Sequence, residues 1–191
     1  MRFYEYLKRL LKMPAAKESR ENAKRAKETA DKLFPGEKWI KAEDRIYLSP
    51  RRAIGKKTNF REELRDAQIL RDLGSTVYLV PENNRQPGRK FDAIVNGLIM
   101  EFKNMSGNGI STLQEHFFTS RLQAPNVFIN LEKSALSKHQ IMSALYGARN
   151  NVNRYSGKNC FPDGKIILKI KEQKKLIYLD VNSLEAKKTR R

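Results

Sequence analysis

FDAIVNGLIMEFK, Phe91 to Lys103, sets two apolar runs on either side of Asn96-Gly97. An Asn-Gly pair between β-type runs predicts a two-residue type I′ hairpin, because both central positions need positive φ. In that register Val95 faces Leu98, Ile94 faces Ile99 and Asp92 faces Glu101. Asp92 and Glu101 then fall on a non-hydrogen-bonded pair, with Cβ atoms roughly 4.5–5.5 Å apart. Two carboxylates that close repel unless a cation lies between them. Lys103, two residues beyond Glu101, projects on the same face by strand alternation. Phe91, Ala93, Val95, Leu98, Met100 and Phe102 make the other face apolar. A hairpin buried on one face, with two acids and a lysine on the other, reads as a divalent-metal site. The alternative is an edge hairpin whose charges are simply solvated, which the presence of Ile94 and Ile99 among them explains poorly.

The chain has 191 residues, 39 Lys+Arg against 21 Asp+Glu, and a net charge of +18, a balance that points to a polyanionic partner, nucleic acid before acidic membrane. Its length suits one well-packed domain with an appendage. Hydrophobic residues at 39% supply a core, which excludes a wholly disordered chain. The lone Cys160 cannot form an internal disulfide, which fits a reducing compartment. No apolar run is long enough to span a membrane and no signal peptide is evident. The expected site of action is cytoplasmic, with the secretion or delivery route open.

Residues 1–43 are expected to form a basic helical N-terminal extension. Phe3, Leu7, Leu10 and Leu11 share one helical face, and a second helix carries the thin stripe Ala16, Ala23, Ala26, Ala30 before Pro35-Gly36. The main domain is expected over 44–182 and a basic tail over 183–191. Between Ser49 and Lys57, Arg51, Arg52, Lys56 and Lys57 form a basic loop suited to phosphates. Arg149, Arg154 and Lys158 form a second such strip.

Capping-box spacings at Asn59/Glu62, Thr112/Glu115 and Ser137/Gln140 predict three helix starts. On the first helix Phe60, Leu64, Ala67, Leu70 and Leu73 form the apolar stripe, and Glu63 intrudes on it. An acid there either reaches a cation or several donors, or snorkels at the edge of the stripe. Strands are expected at Thr76–Val80, in the hairpin, at Val127–Leu131, Lys165–Lys171 and Leu176–Val181. The resulting order, α-β-β-β-α-β-α-β-β, is an α/β fold with a mixed central sheet flanked by helices.

A helix acid, an acid on one strand and Glu-x-Lys on its hairpin mate resembles the PD-(D/E)xK nuclease superfamily. The matching residues are Glu63, Asp92 and Glu101-Phe102-Lys103, with Phe91 standing where the motif's name has proline. Across residues 59–182, EELRDAQILRDLGSTVYLVPE, FDAIVNGLIMEFKNMS and QAPNVFINL are similar to C-terminal nuclease domains of CdiA-type contact-dependent inhibition proteins and other polymorphic toxins. The resemblance implies a restriction-endonuclease-like core and a metal-dependent nuclease, with RNA, tRNA especially, as substrate. It implies Mg²⁺ or Mn²⁺ bound by Asp92, Glu101 and the Phe102 carbonyl. Lys103 would orient the attacking water or stabilise phosphorane-like charge, and Glu63 would hold a metal water or a second ion. A cognate immunity protein is an implied partner.

Two other functions stand beside this one: a DNA endonuclease of a phage or mobile element, and a non-catalytic nucleic-acid-binding module on a nuclease fold. His116 and His139 lack a second histidine at metal spacing and are expected to be structural. Gln114 and Gln123 are expected as helix-surface amides, with substrate contact the alternative, and Tyr78, Tyr146 and Tyr155 as core or surface residues rather than base-stacking platforms.

Overall fold

The computed structural model describes residues 16–52, 57–81, 90–150, 164–171 and 176–180. The expected first helix, the loop after Pro81, Lys56, Arg154, Lys158, Tyr155 and the basic tail lie outside them. The protein is mixed α/β, and it divides into two compact units, Met1–Phe102 and Lys103–Arg191.

In the first unit the strands are β1 (Ile40–Glu43), β2 (Ile46–Leu48), β3 (Val77–Leu79), β4 (Ala93–Val95) and the first part of β5 (Leu98–Asn104), side by side in that order. β1 and β2 are antiparallel, β2 and β3 parallel, and β3, β4 and β5 antiparallel. The parallel step needs a crossover, which α2 (Lys57–Asp72) supplies. α2 begins before Asn59, so the expected Asn59 cap is not its start. The turn of helix therefore comes earlier than the capping-box spacing implied.

Helix α1 (Ala16–Leu33) packs on β3 and β4 with Ala26 and Ala30 fully buried. Alanine's small side chain is what permits this close approach of helix to sheet. β1 lies within the expected 1–43 extension and pairs with β2, and α1 packs on β3 and β4, so residues 16–43 contribute to the first unit. Phe34 meets Trp39 edge-on and packs on Phe91, and Trp39 meets Tyr78 edge-on. Tyr78 also stacks on Tyr47 with centroids 4.6 Å apart, which makes it a core residue, as expected. Burial, with lesser contributions from Tyr47 and Asp31, pushes the Tyr78 phenol up to about 12.

The Asn96-Gly97 turn has φ of 52° and 86°, the positive pair that a type I′ turn requires. Thr29 on α1 hydrogen-bonds the Gly97 carbonyl, and a Cβ added at Gly97 would lie 3.2 Å from the Arg25 Cβ. Glycine is needed there both for its φ and for the helix above it.

The second unit carries α3 (Ile110–Gln123), β6 (Asn126–Leu131), α4 (Lys138–Asn150), β7 (Lys165–Ile170) and β8 (Ile177–Asp180). β6 and β7 are parallel, β7 and β8 antiparallel, and α3 packs on α4. The Ser137/Gln140 capping box is present in both directions: the Ser137 amide donates to Gln140 Oε1 at 2.8 Å and the Gln140 amide to Ser137 Oγ at 3.3 Å. α3 differs from expectation. Its first residue is Ile110, two before Thr112, and the Gly109 cap makes no side-chain bond. Gly147 leaves room for the Gln114 side chain, whose Nε2 would sit 2.1 Å from a Cβ at that position, so Gln114 fills the α3–α4 contact.

Candidate functional site

The β4–β5 ladder follows the predicted register from the turn outward: Val95 with Leu98, Ile94 with Ile99, Ala93 with Met100. The pairing then slips. The Asp92 amide donates to the Met100 carbonyl at 3.2 Å, although Met100 is already the partner of Ala93. Two residues thus oppose one, the arrangement of a β-bulge, which re-aims a side chain. The simple pairing of Asp92 against Glu101 is corrected by this slip.

The Asp92 carboxylate turns onto the β5 backbone, where Oδ2 accepts the Phe102 amide at 2.9 Å. Asp92 therefore brackets Glu101, bonding the residue before it through its amide and the residue after it through its carboxylate. On the other side the Asp92 carbonyl accepts the Val80 amide at 3.1 Å, which pins it to the end of β3. Glu101 itself is 3% exposed. Burying a carboxylate to this degree is costly without compensation by donors or a cation.

Arg52 is the residue whose place the sequence did not reveal. Expected as a phosphate-binding surface cation, it is 1% exposed, which corrects that assignment. Its Nε donates to Glu63 Oε2 at 2.9 Å, one terminal nitrogen pairs with the same oxygen, and the other donates to the Val80 carbonyl. The nitrogen that meets Glu63 also lies 3.5 Å from Asp92 Oδ1. Glu63 is thus neither a lone snorkelling acid nor gathered directly with Asp92. It reaches Asp92's surroundings through a guanidinium. One turn further along α2, Asp66 is fully buried, a second acid on the helix that was not singled out from sequence. The i, i+3 spacing of Glu63 and Asp66 is the signal that shows it.

Among the described residues no three His, Cys, Asp or Glu side chains gather as a cation site. The oxygen donors on this hairpin are two carboxylates, Asp92 and Glu101, and the Phe102 carbonyl. The Phe102 amide faces Asp92, and in an antiparallel ladder a residue's N–H and C=O point to the same neighbouring strand. An all-oxygen set of one or two carboxylates with a carbonyl suits Mg²⁺ or Mn²⁺, which keep several waters. These residues fit such an ion in donor chemistry. Glu63 Oε2 is taken up by the Arg52 guanidinium, which places a positive charge between Glu63 and Asp92.

In the second unit Lys103 Nζ donates to Gln123 Oε1 at 2.9 Å. This gives Gln123 a specific partner rather than a solvent-facing amide. His116 is held below the ordinary histidine range by burial and by the Lys103 charge, against a smaller opposing effect of Glu115. His139 is exposed in the first turn of α4. Of the expected phosphate contacts, Arg51 is exposed and pairs with Glu37, Lys57 is the first residue of α2, and Arg149 lies half-buried in the last turn of α4.

No protein-family model matches the chain, and no curated protein does. A solved structure titled CdiA-CT/CdiI toxin and immunity complex, from Burkholderia pseudomallei, contains a chain similar to this one. The match has 17% identity and a TM-score of 0.46, covering 70% of this chain and 98% of that one. A likeness this distant says nothing about activity. Among the described residues no helix is long and apolar enough to cross a membrane.

Proposed function

We propose that this chain is a metal-dependent nuclease that hydrolyses phosphodiester bonds, of the toxin type that cuts RNA, with a tRNA-like substrate. The observation that carries the proposal is the bracketing of buried Glu101 by Asp92, through Met100 and Phe102, on a chain of net charge +18. No hairpin needs two acids in that relation for its own stability, and a basic chain has polyanionic substrate at hand.

Asp92 and Glu101 would hold Mg²⁺ or Mn²⁺ together with the Phe102 carbonyl. When bound, the ion supplies positive charge to the scissile phosphate and acidifies water beside it. Lys103 enters through its place two residues after Glu101 in one strand; its ammonium orients the attacking water or stabilises charge developing on the phosphate. The bulge at Asp92 holds its carboxylate against the β5 backbone before substrate arrives, so little reorganisation is left for the reaction. Glu63 acts through Arg52. Arg51, Lys57 and Arg149 add phosphate contacts that carry affinity rather than chemistry. An immunity protein as partner and a cytoplasmic site of action belong to the same proposal.

The deciding experiment incubates the full chain with tRNA, total RNA, and linear and circular DNA, in Mg²⁺, Mn²⁺ or EDTA. Cleavage of RNA that EDTA abolishes is the expected result. Cleavage of DNA alone moves the assignment to a DNA endonuclease, and tight binding without cleavage in any metal leaves a binding module. Cleavage that persists in EDTA overturns the metal chemistry.

A further inference from the structure

The guanidinium of Arg52 sits where two acids of the proposed site would otherwise meet. It spans Glu63 on α2 and Asp92 at the β4 bulge, and it is anchored to the Val80 carbonyl at the end of β3. Each Asp92 oxygen thereby already accepts one donor, Oδ2 the Phe102 amide at 2.9 Å and Oδ1 Arg52 at 3.5 Å. Two-ion nucleases need carboxylates that reach two metals some 3.5–4 Å apart. Here the helix acid Glu63 is already paired with a side chain whose charge cannot be titrated away.

We propose that Arg52 is a built-in second cation, a positioning residue that holds Asp92 and Glu63 together and limits the site to one divalent ion. The inference rests on the nuclease assignment above and specifies its metal stoichiometry. A fixed guanidinium beside Asp92 also repels an incoming ion, so the affinity for metal is set partly by Arg52. A planar fork of donors meets two acids and a carbonyl at once, whereas a lysine at this place would supply the same charge through fewer bonds.

Titration of the full chain with Mn²⁺, followed by calorimetry and by the spin-resonance signal of free Mn²⁺, tests this without reference to cleavage. The wild-type chain should bind one ion, and Arg52→Gln should bind two. Arg52→Lys restores the charge and should return the count to one. If Arg52→Gln does not fold, the double variant Arg52→Gln/Glu63→Gln, which leaves no lone buried charge on that helix, keeps the question open to measurement. It should bind one Mn²⁺ about tenfold more tightly than wild type, since a positive charge near Asp92 is gone. Two ions in wild type, or unchanged affinity in the double variant, overturns the role of Arg52 while leaving the nuclease assignment intact. A folded wild-type chain that takes up no Mn²⁺ overturns the metal site itself, and the one-ion limit with it.

Discussion

In α4, Ser137 and Gln140 cap each other's backbone, and Ile141, Leu145 and Ala148 fill a buried apolar face. In α2, the apolar face of Ala67 and Leu70 is shared with fully buried Asp66 and with Glu63, which is paired to a buried arginine. Local rules of capping and patterning suffice for a helix whose buried face is wholly apolar. A helix that buries charge gives up stability that an apolar side chain would supply, and such departures concentrate at functional sites. The contrast teaches where in this chain to look for chemistry.

The strongest way to break the comparison lies on the hairpin that α2 serves. Asp92→Ala, Glu101→Ala and Lys103→Ala are each expected to lower nuclease turnover by ~10²–10³-fold with helical circular dichroism unchanged. Undiminished cleavage in Glu101→Ala would leave the buried acids of α2 with no function to explain them.

Glu63→Gln comes next. It should lower cleavage about tenfold and stability by about 2 kcal/mol, because a charge-assisted bond to Arg52 is replaced by a neutral one. Glu62→Gln, on the exposed side of the same helix, should stay within about 0.5 kcal/mol and leave cleavage alone. Equal effects in urea unfolding and in turnover would erase the distinction between the two acids.

For α4 the expectation is the reverse split. Ser137→Ala should cost about 1 kcal/mol in urea unfolding with turnover unchanged. A loss of turnover at equal stability would show that α4 does more than fold.

The smallest effect concerns His116 on α3, the helix packed against α4. Burial favours its neutral form, so the unfolded chain binds the proton more readily. Stability is therefore complete above about pH 6.5 and is lost as pH falls through the lowered folded value. Unfolding midpoints should decline over that window, and His116→Gln should flatten the decline. An identical pH profile in the variant would place the titration elsewhere.

What the sequence disclosed is what neighbouring residues decide. Asn96-Gly97 sets its own φ angles, and Ser137 and Gln140 need only each other, so the turn, the register next to it and the α4 start were legible. The slip at Asp92 was not, because its amide, carbonyl and carboxylate answer to Met100, Val80 and Phe102 on two different strands. Nor was the burial of Arg52, whose partners lie 11, 28 and 40 residues along the chain while its neighbours suggest an exposed basic loop. The missed α3 start has the same origin: Thr112 and Glu115 have the right spacing, and the chain turns helical before it reaches them.

Surface turns ordinarily tolerate substitution better than the strands they join. The tip at Gly97 inverts that expectation. A residue that accepts positive φ, such as asparagine, would relieve one constraint and still press on the Arg25 backbone, whose oxygen lies 3.3 Å from the added carbon. Under random mutation this two-residue loop should therefore be among the least changeable positions of its unit, and a library scored for folding alone would find it so.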